Sequence, residues 1–131
     1  MVPRVPHPWR LHDSQAAGDL FAPLARESVE VLAFVYLGAG QQVLGMRHAR
    51  SLQSDRLDLP IRAIAADALA FDACGLVMAH NHPSGDPTPS QADREATRRL
   101  ARALDPLGIR LLDHLVVAAR GITSFRSLGF L

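Results

Sequence analysis

The stretch His80-Asn81-His82-Pro83-Ser84-Gly85-Asp86-Pro87-Thr88-Pro89-Ser90-Gln91-Ala92-Asp93 gathers side chains able to ligate a cation and move a proton. Ahead of it, Leu76-Val77-Met78-Ala79 is a short apolar run that predicts a buried strand, in which alternate side chains share a face. His80 and His82 therefore continue the row of Leu76 and Met78. After the loop, Ser90 opens a helical pattern whose apolar positions are Ala96, Leu100 and Leu104. At about 100° per residue, Asp93 and Thr97 fall on that inward stripe, while Arg94, Glu95, Arg98, Arg99 and Arg102 fall on the opposite half. An acid thus stands on the face that should be dry. Two imidazoles leaving a strand and one carboxylate from the first turn of the next helix give three N/O ligands able to converge on one point. Three protein ligands with a fourth position for water is the donor set of a catalytic zinc site, whereas structural sites are usually closed by four.

Other residues can join this centre. Val29 to Leu37 reads as a strand apolar on both faces except at Glu30. Two readings of Glu30 are open: an acid at the wet end of a strand, or a buried carboxylate near the metal, since charged residues are seldom fully buried without a partner. Ser90 followed three residues later by Asp93 resembles a capping box, so Ser90 can cap the helix and still face the site. Asn81, the only asparagine, alternates to the other face of the strand and is expected to fix the loop by hydrogen bonds. Asp113 and His114 interrupt another apolar row and are expected to form a hydrogen-bonded pair inside the sheet. His48, close to Arg47 and Arg50, reads as exposed.

The letters His-Asn-His invite comparison with HNH nucleases, whose motif residues are spread over a larger ββα element. Zinc deaminases need a Glu two residues after the His and a later Pro-Cys-x-x-Cys, and neither is present. The helical His-Glu-x-x-His of many metalloproteases is also missing.

The elements that must hold these residues follow from the rest of the chain. Its 131 residues suit one domain, burying roughly two-thirds of the surface of the unfolded chain. An arm rich in proline is expected over residues 1–12, with Trp9 as an anchor, and the folded domain over 13–131. A short helix is predicted from Ser14 to Ala25, packing through Leu20, Phe21 and Leu24, with Gly18 and Pro23 working against it. Gly38-Ala39-Gly40 turns the first strand into a second over Gln41 to Arg47. The segment 51–60 reads as irregular, and Ile61 to Phe71 as a helix with Ile61, Ile64, Ala65, Ala68 and Leu69 on one face. Further strands are predicted over Cys74 to Ala79, Ile109 to Ala118 and Ile122 to Phe125. This alternation gives an α/β (α+β) class: a mixed β-sheet flanked by helices.

With 14 basic and 13 acidic residues the chain presents no strong field for nucleic acid or an anionic membrane. All the basic residues are arginine, which excludes a P-loop lysine, a Schiff-base lysine and a Ser-Lys dyad. Cys74 is the single cysteine, so neither an intrachain disulfide nor a thiolate-rich zinc finger is available, and an inert core thiol is expected there. No apolar stretch approaches the roughly 20 residues of a membrane span, and the N-terminus does not resemble a signal peptide. A cytoplasmic protein is the expectation.

His80-x-His82, seven intervening residues and Ser90-x-x-Asp93, with a Glu on an upstream strand, resemble the JAMM motif of JAB/MPN metalloprotease-like domains. His80-Asn81-His82-Pro83-Ser84-Gly85, Pro89-Ser90-Gln91-Ala92-Asp93 and Leu112-Asp113-His114 resemble the RadC branch, and the likeness runs from about Glu27 to the C-terminus. The resemblance implies a JAB/MPN-like fold and one zinc per chain held by His80, His82 and Asp93. It implies Glu30, or failing that Glu27, as general base, with the Ser90 hydroxyl sharing the charge on a carbonyl oxygen. The activity implied is a zinc metallopeptidase or isopeptidase acting on a peptide or protein. The alternative is a non-catalytic JAB/MPN interaction module or an accessory protein of DNA repair, drawing on Arg94, Arg98 and Arg102. Neither a membrane nor, for this domain alone, a nucleic-acid partner is expected. Two departures stand out: the chain is too short for the N-terminal helix-hairpin-helix region of many RadC proteins, and Arg62-Ala63 stands where they tend to have Arg-Glu.

Overall fold

A row of seven buried residues, Gly75–Asn81, forms the strand β3 from which the other elements take their places. The computed structural model describes residues 14–50 and 59–131. The expected arm over 1–12 with Trp9, and positions 51–58 of the irregular segment, lie outside the described residues. The chain order is α1 (Ser14–Phe21), a 3-10 turn (Ala22–Arg26), β1 (Val31–Leu37), β2 (Val43–Arg50), α2 (Ile61–Ala70), β3, α3 (Gln91–Leu104), a second 3-10 turn (Asp105–Leu107), β4 (Arg110–Ala118) and β5 (Gly121–Ser124). One five-stranded sheet runs β2-β1-β3-β4-β5. The β1/β2, β1/β3 and β4/β5 pairs are antiparallel, and β3 and β4, joined through α3, are parallel. The fold is thus the expected mixed sheet flanked by helices.

Strand alternation sorts the core into two layers. Val31, Ala33, Val35 and Leu37 of β1, with Val77 and Ala79 of β3, pack under α1 and Leu24. Leu32, Phe34 and Tyr36, with Leu76 and Met78, pack under Ile64 and Ala68 of α2 and under Ala96, Leu100 and Leu104 of α3. Complete burial of a Leu or Ile in these layers contributes about 1.5–3 kcal/mol, so both faces of the central strands resist displacement. The α3 stripe is as expected, with Asp93 and Thr97 buried beside the three apolar positions.

One irregularity decides what faces α3. In the parallel β3/β4 ladder, Leu76 pairs with Leu111 but Val77 pairs with Asp113, so the register skips Leu112. Such a bulge reverses the alternation of everything beyond it. Leu111 therefore lies in the α3 layer, and so does His114, three residues on.

Several sequence expectations are corrected at element ends. The first helix stops at Phe21 and tightens into a 3-10 turn with Pro23 in its opening positions, because proline has no N–H to continue the α ladder. β1 starts at Val31, not Val29, and Val29 is exposed. Leu69 is 58% exposed, since α2 turns only Ile64 and Ala68 fully into the core. Cys74 is exposed, not a core thiol, because it precedes the first strand residue, Gly75. His48 is exposed as expected.

Candidate metal centre

Antiparallel register brings the upstream acid to the histidines. Leu32 pairs with His80, so continuing the ladder by two residues sets Glu30 opposite His82 and on the same face. Asn81, pointing the other way, clamps the approach to that position. Its Nδ2 donates to the carbonyl oxygens of Glu27 at 3.2 Å and Val29 at 2.9 Å, and its Oδ1 accepts the Val31 N–H at 2.6 Å. The sequence assigned Asn81 to fixing the motif loop; it fixes instead the segment carrying Glu30.

The loop beyond β3 is held by backbone contacts. Gly85 adopts a φ of 90°, a left-handed conformation that L side chains rarely take, and its N–H bonds the His82 carbonyl at 3.0 Å. That turn presents the Asp86 carbonyl to His82 Nδ1 at 2.8 Å. A carbonyl only accepts, so Nδ1 carries the proton and Nε2 is the atom turned to the centre. Ser90 and Asp93 then form a capping box: Ser90 Oγ accepts the Asp93 N–H at 3.0 Å, and Asp93 Oδ2 accepts the Ser90 N–H at 2.8 Å. Ser90 Oγ is thus an acceptor for the cap, and its own O–H is a donor.

Three side chains meet at the centre. His80 Nε2 and His82 Nε2 are 3.0 Å apart, His82 Nε2 is 3.1 Å from Asp93 Oδ2, and His80 Nε2 is 3.3 Å from Asp93 Oδ1. A tetrahedral cation with bonds of about 2.0–2.1 Å spaces its ligand atoms about 3.3 Å apart, so these spacings fit zinc with nitrogen and carboxylate ligands. Glu30, His80 and His82 form a cluster whose ligand atoms all lie within 4.8 Å of one another. That cluster contains Glu30 and not Glu27. Asp93 is outside it, although it touches both imidazoles. The possible metal cluster therefore differs from the expected set of two histidines and Asp93, and is incomplete as a JAMM ligand set.

The electrostatics match a place built for positive charge. Burial alone would raise the Asp93 carboxyl, but the adjoining His80 and His82 imidazoles and the Ser90 N–H outweigh it and hold the group far below the usual carboxylate range. The bond to Asp93 raises the His82 imidazole against the opposing effect of burial. Burial raises the half-buried Glu30 carboxyl, with the two imidazoles pulling it partly back and Asp93 adding to the rise.

Behind this cluster stand two residues to which sequence reasoning gave no place in the centre. His80 Nδ1 lies 2.7 Å from His114 Nε2, and His114 Nδ1 lies 2.7 Å from Thr97 Oγ1. Asp113 and His114 form the expected hydrogen-bonded pair inside the sheet, the His114 N–H donating to Asp113 Oδ1 at 2.7 Å. The Asp113 side chain also accepts from Ser124 Oγ and the Arg126 N–H. Thr97 was visible on the inward stripe; His114 was masked by the bulge.

Comparison with known proteins completes the description. Residues 11–130 match the family model of the RadC-like JAB domain. A UPF0758 protein of Symbiobacterium thermophilum, STH371, is 40% identical over 122 residues, covering 92% of this chain and 52% of the relative. A UPF0758 protein of Thermotoga maritima is 42% identical over 106 residues, covering 81% of this chain and 46% of the relative. The UPF0758 protein YfjY of Escherichia coli K12 is 39% identical over 119 residues, covering 90% and 74%. The chain spans about half the length of the first two. Among the described residues, no helix is long and apolar enough to cross a membrane.

Proposed function

The chain belongs to the RadC-like JAB domain family, and from that premise we propose that it is a zinc-dependent hydrolase of amide bonds, a metallopeptidase or isopeptidase. The observation that carries this reading is the meeting of His80 Nε2, His82 Nε2 and the Asp93 carboxylate at 3.0–3.3 Å, with Glu30 clustered against the same two imidazoles. His80, His82 and Asp93 hold the cation. When bound, zinc supplies Lewis acidity, which lowers the pKa of water to roughly 7 and polarises a carbonyl. Glu30 takes the proton of the attacking water and returns it to the leaving amine. The Ser90 O–H donates to the carbonyl oxygen as charge develops there, a role worth about 100- to 1000-fold in another hydrolase. The substrate is a peptide or protein.

Metal analysis of the purified chain tests the reading: one zinc per chain is expected, and almost none in a His80→Ala, His82→Ala variant that still folds. Unchanged metal in that variant would remove the ligand assignment. Glu30→Gln is expected to keep zinc and lose hydrolysis of peptide and isopeptide substrates; full activity would remove Glu30 from the mechanism.

A second reading, a non-catalytic JAB/MPN interaction module, is favoured by the engagement of Asp93, which leaves the cluster short of the full ligand set. Both its oxygens already meet imidazoles, one also takes the Ser90 N–H, and the cluster with Glu30 does not include it. On that reading the zinc-loaded chain cleaves none of these substrates. An accessory role on DNA is less well supported. Arg98 and Arg102 are exposed, but the Arg94 guanidinium lies 4.1 Å from the Phe130 ring centroid, packed rather than presented.

A further inference from the structure

The pair His114 and Thr97 does more than fill space behind the centre. Thr97 Oγ1 lies 2.6 Å from the Asp93 carbonyl oxygen, which can only accept, so the single hydroxyl hydrogen of Thr97 is committed there. Oγ1 must then accept from His114 Nδ1, 2.7 Å away, and His114 carries its proton on Nδ1. His114 is completely buried, and Phe125 stacks on its ring with centroids 4.4 Å apart. At a pH above the histidine range the ring is neutral, and only its tautomer remains to be assigned. A neutral ring with its proton on Nδ1 has a lone pair on Nε2, and that lone pair faces His80 Nδ1 at 2.7 Å. His80 Nδ1 must donate, which leaves His80 Nε2 without a proton.

We propose that His114, oriented by Thr97, is a positioning residue that fixes His80 in the Nδ1–H tautomer and so turns the Nε2 lone pair toward the cation. The inference rests on the metal-centre reading for its purpose but not for its geometry. Histidine ligands generally donate their second N–H to a carboxylate, a carbonyl or water. Here a second imidazole accepts that bond, and a threonine relays it to the backbone of the helix that bears Asp93. The chain of bonds runs His80, His114, Thr97, Asp93 carbonyl, and it closes on the residue beside which it started. One rigid loop of contacts thereby sets the aim of one imidazole and the position of the acid.

The test uses nitrogen NMR of the imidazoles in the metal-free chain, at a pH above the histidine range, together with zinc affinity measured by competition with a chromophoric chelator. Wild type is expected to show His80 as the Nδ1–H form. His114→Phe, which keeps the stack on Phe125 but offers no acceptor, is expected to release His80 to the Nε2–H form and weaken zinc binding about 10- to 100-fold. His114→Gln places a carbonyl acceptor near the Nε2 position and is expected to restore most of that loss, which a merely space-filling role would not predict. Thr97→Val, which cannot accept from Nδ1, is expected to give a smaller shift in the same direction. An Nε2–H His80 in wild type, or unchanged zinc affinity in both His114→Phe and Thr97→Val, would overturn the inference. If wild type takes up no zinc, the metal reading falls, while the tautomer of His80 still decides this one. Should His114→Phe fail to fold, the wild-type spectrum and Thr97→Val carry the decision.

Discussion

Asn81 Oδ1 receives the backbone N–H of Val31 at 2.6 Å, fifty positions earlier in the chain. The strand that ends in the two histidines therefore grips, with the residue between them, the segment that delivers Glu30. Centre and acid are positioned by opposite faces of the same two-residue step.

Asn81→Ala removes all three of the bonds to residues 27–31 and leaves the buried Val31 N–H without that partner. At about 0.5–1.5 kcal/mol for each bond, a loss of about 2–4 kcal/mol is expected in denaturant unfolding. Zinc binding through His80 and His82 should persist, whereas any hydrolysis should fall with the loosening of Glu30. Wild-type stability in Asn81→Ala would show that the clamp contributes nothing.

Gly85→Ala tests the turn that serves His82. A Cβ at Gly85 would meet Arg120 Nε at 3.7 Å, ordinary contact, so the cost comes from the φ of 90° and not from crowding. About 1–2 kcal/mol of destabilisation is expected, along with weaker zinc binding, because relaxation of the turn withdraws the Asp86 carbonyl from His82 Nδ1. Thermal unfolding with and without added zinc separates the two effects.

Tyr36→Phe should go the other way. The Tyr36 side chain is completely buried, and its hydroxyl has no hydrogen-bond partner among the described residues. The ring packs against Phe71 with centroids 5.2 Å apart, and that contact survives the change. Removing an unpaired buried hydroxyl should stabilise the chain by about 1 kcal/mol. A loss of stability would mean that the hydroxyl is satisfied by water.

Regular periodicity made much of this arrangement legible beforehand. A two-residue repeat put His80 and His82 on the row of Leu76 and Met78, and a 3.6-residue repeat turned Asp93 and Thr97 inward, where both are buried. Ser90 as a helix cap was readable from its spacing to Asp93. What periodicity cannot report is where it breaks. The skipped pairing at Leu112 reversed the faces of β4 and hid the contact between His114 and His80. Cys74 was misplaced for a simpler reason: strand and turn composition run together there, and a one-residue shift of the boundary moved the thiol into solvent. The partners of Asn81 lie some fifty residues away, a separation at which sequence offers no pattern.

Asp93 Oδ2 holds the Ser90 amide at 2.8 Å while touching His82 Nε2 at 3.1 Å. A single oxygen atom thus belongs both to the opening of a 14-residue helix and to the rim of the centre. Any occupant that draws electron density from that oxygen loosens one peptide group on the surface, so amide exchange at Ser90 offers an outside view of events at the two imidazoles.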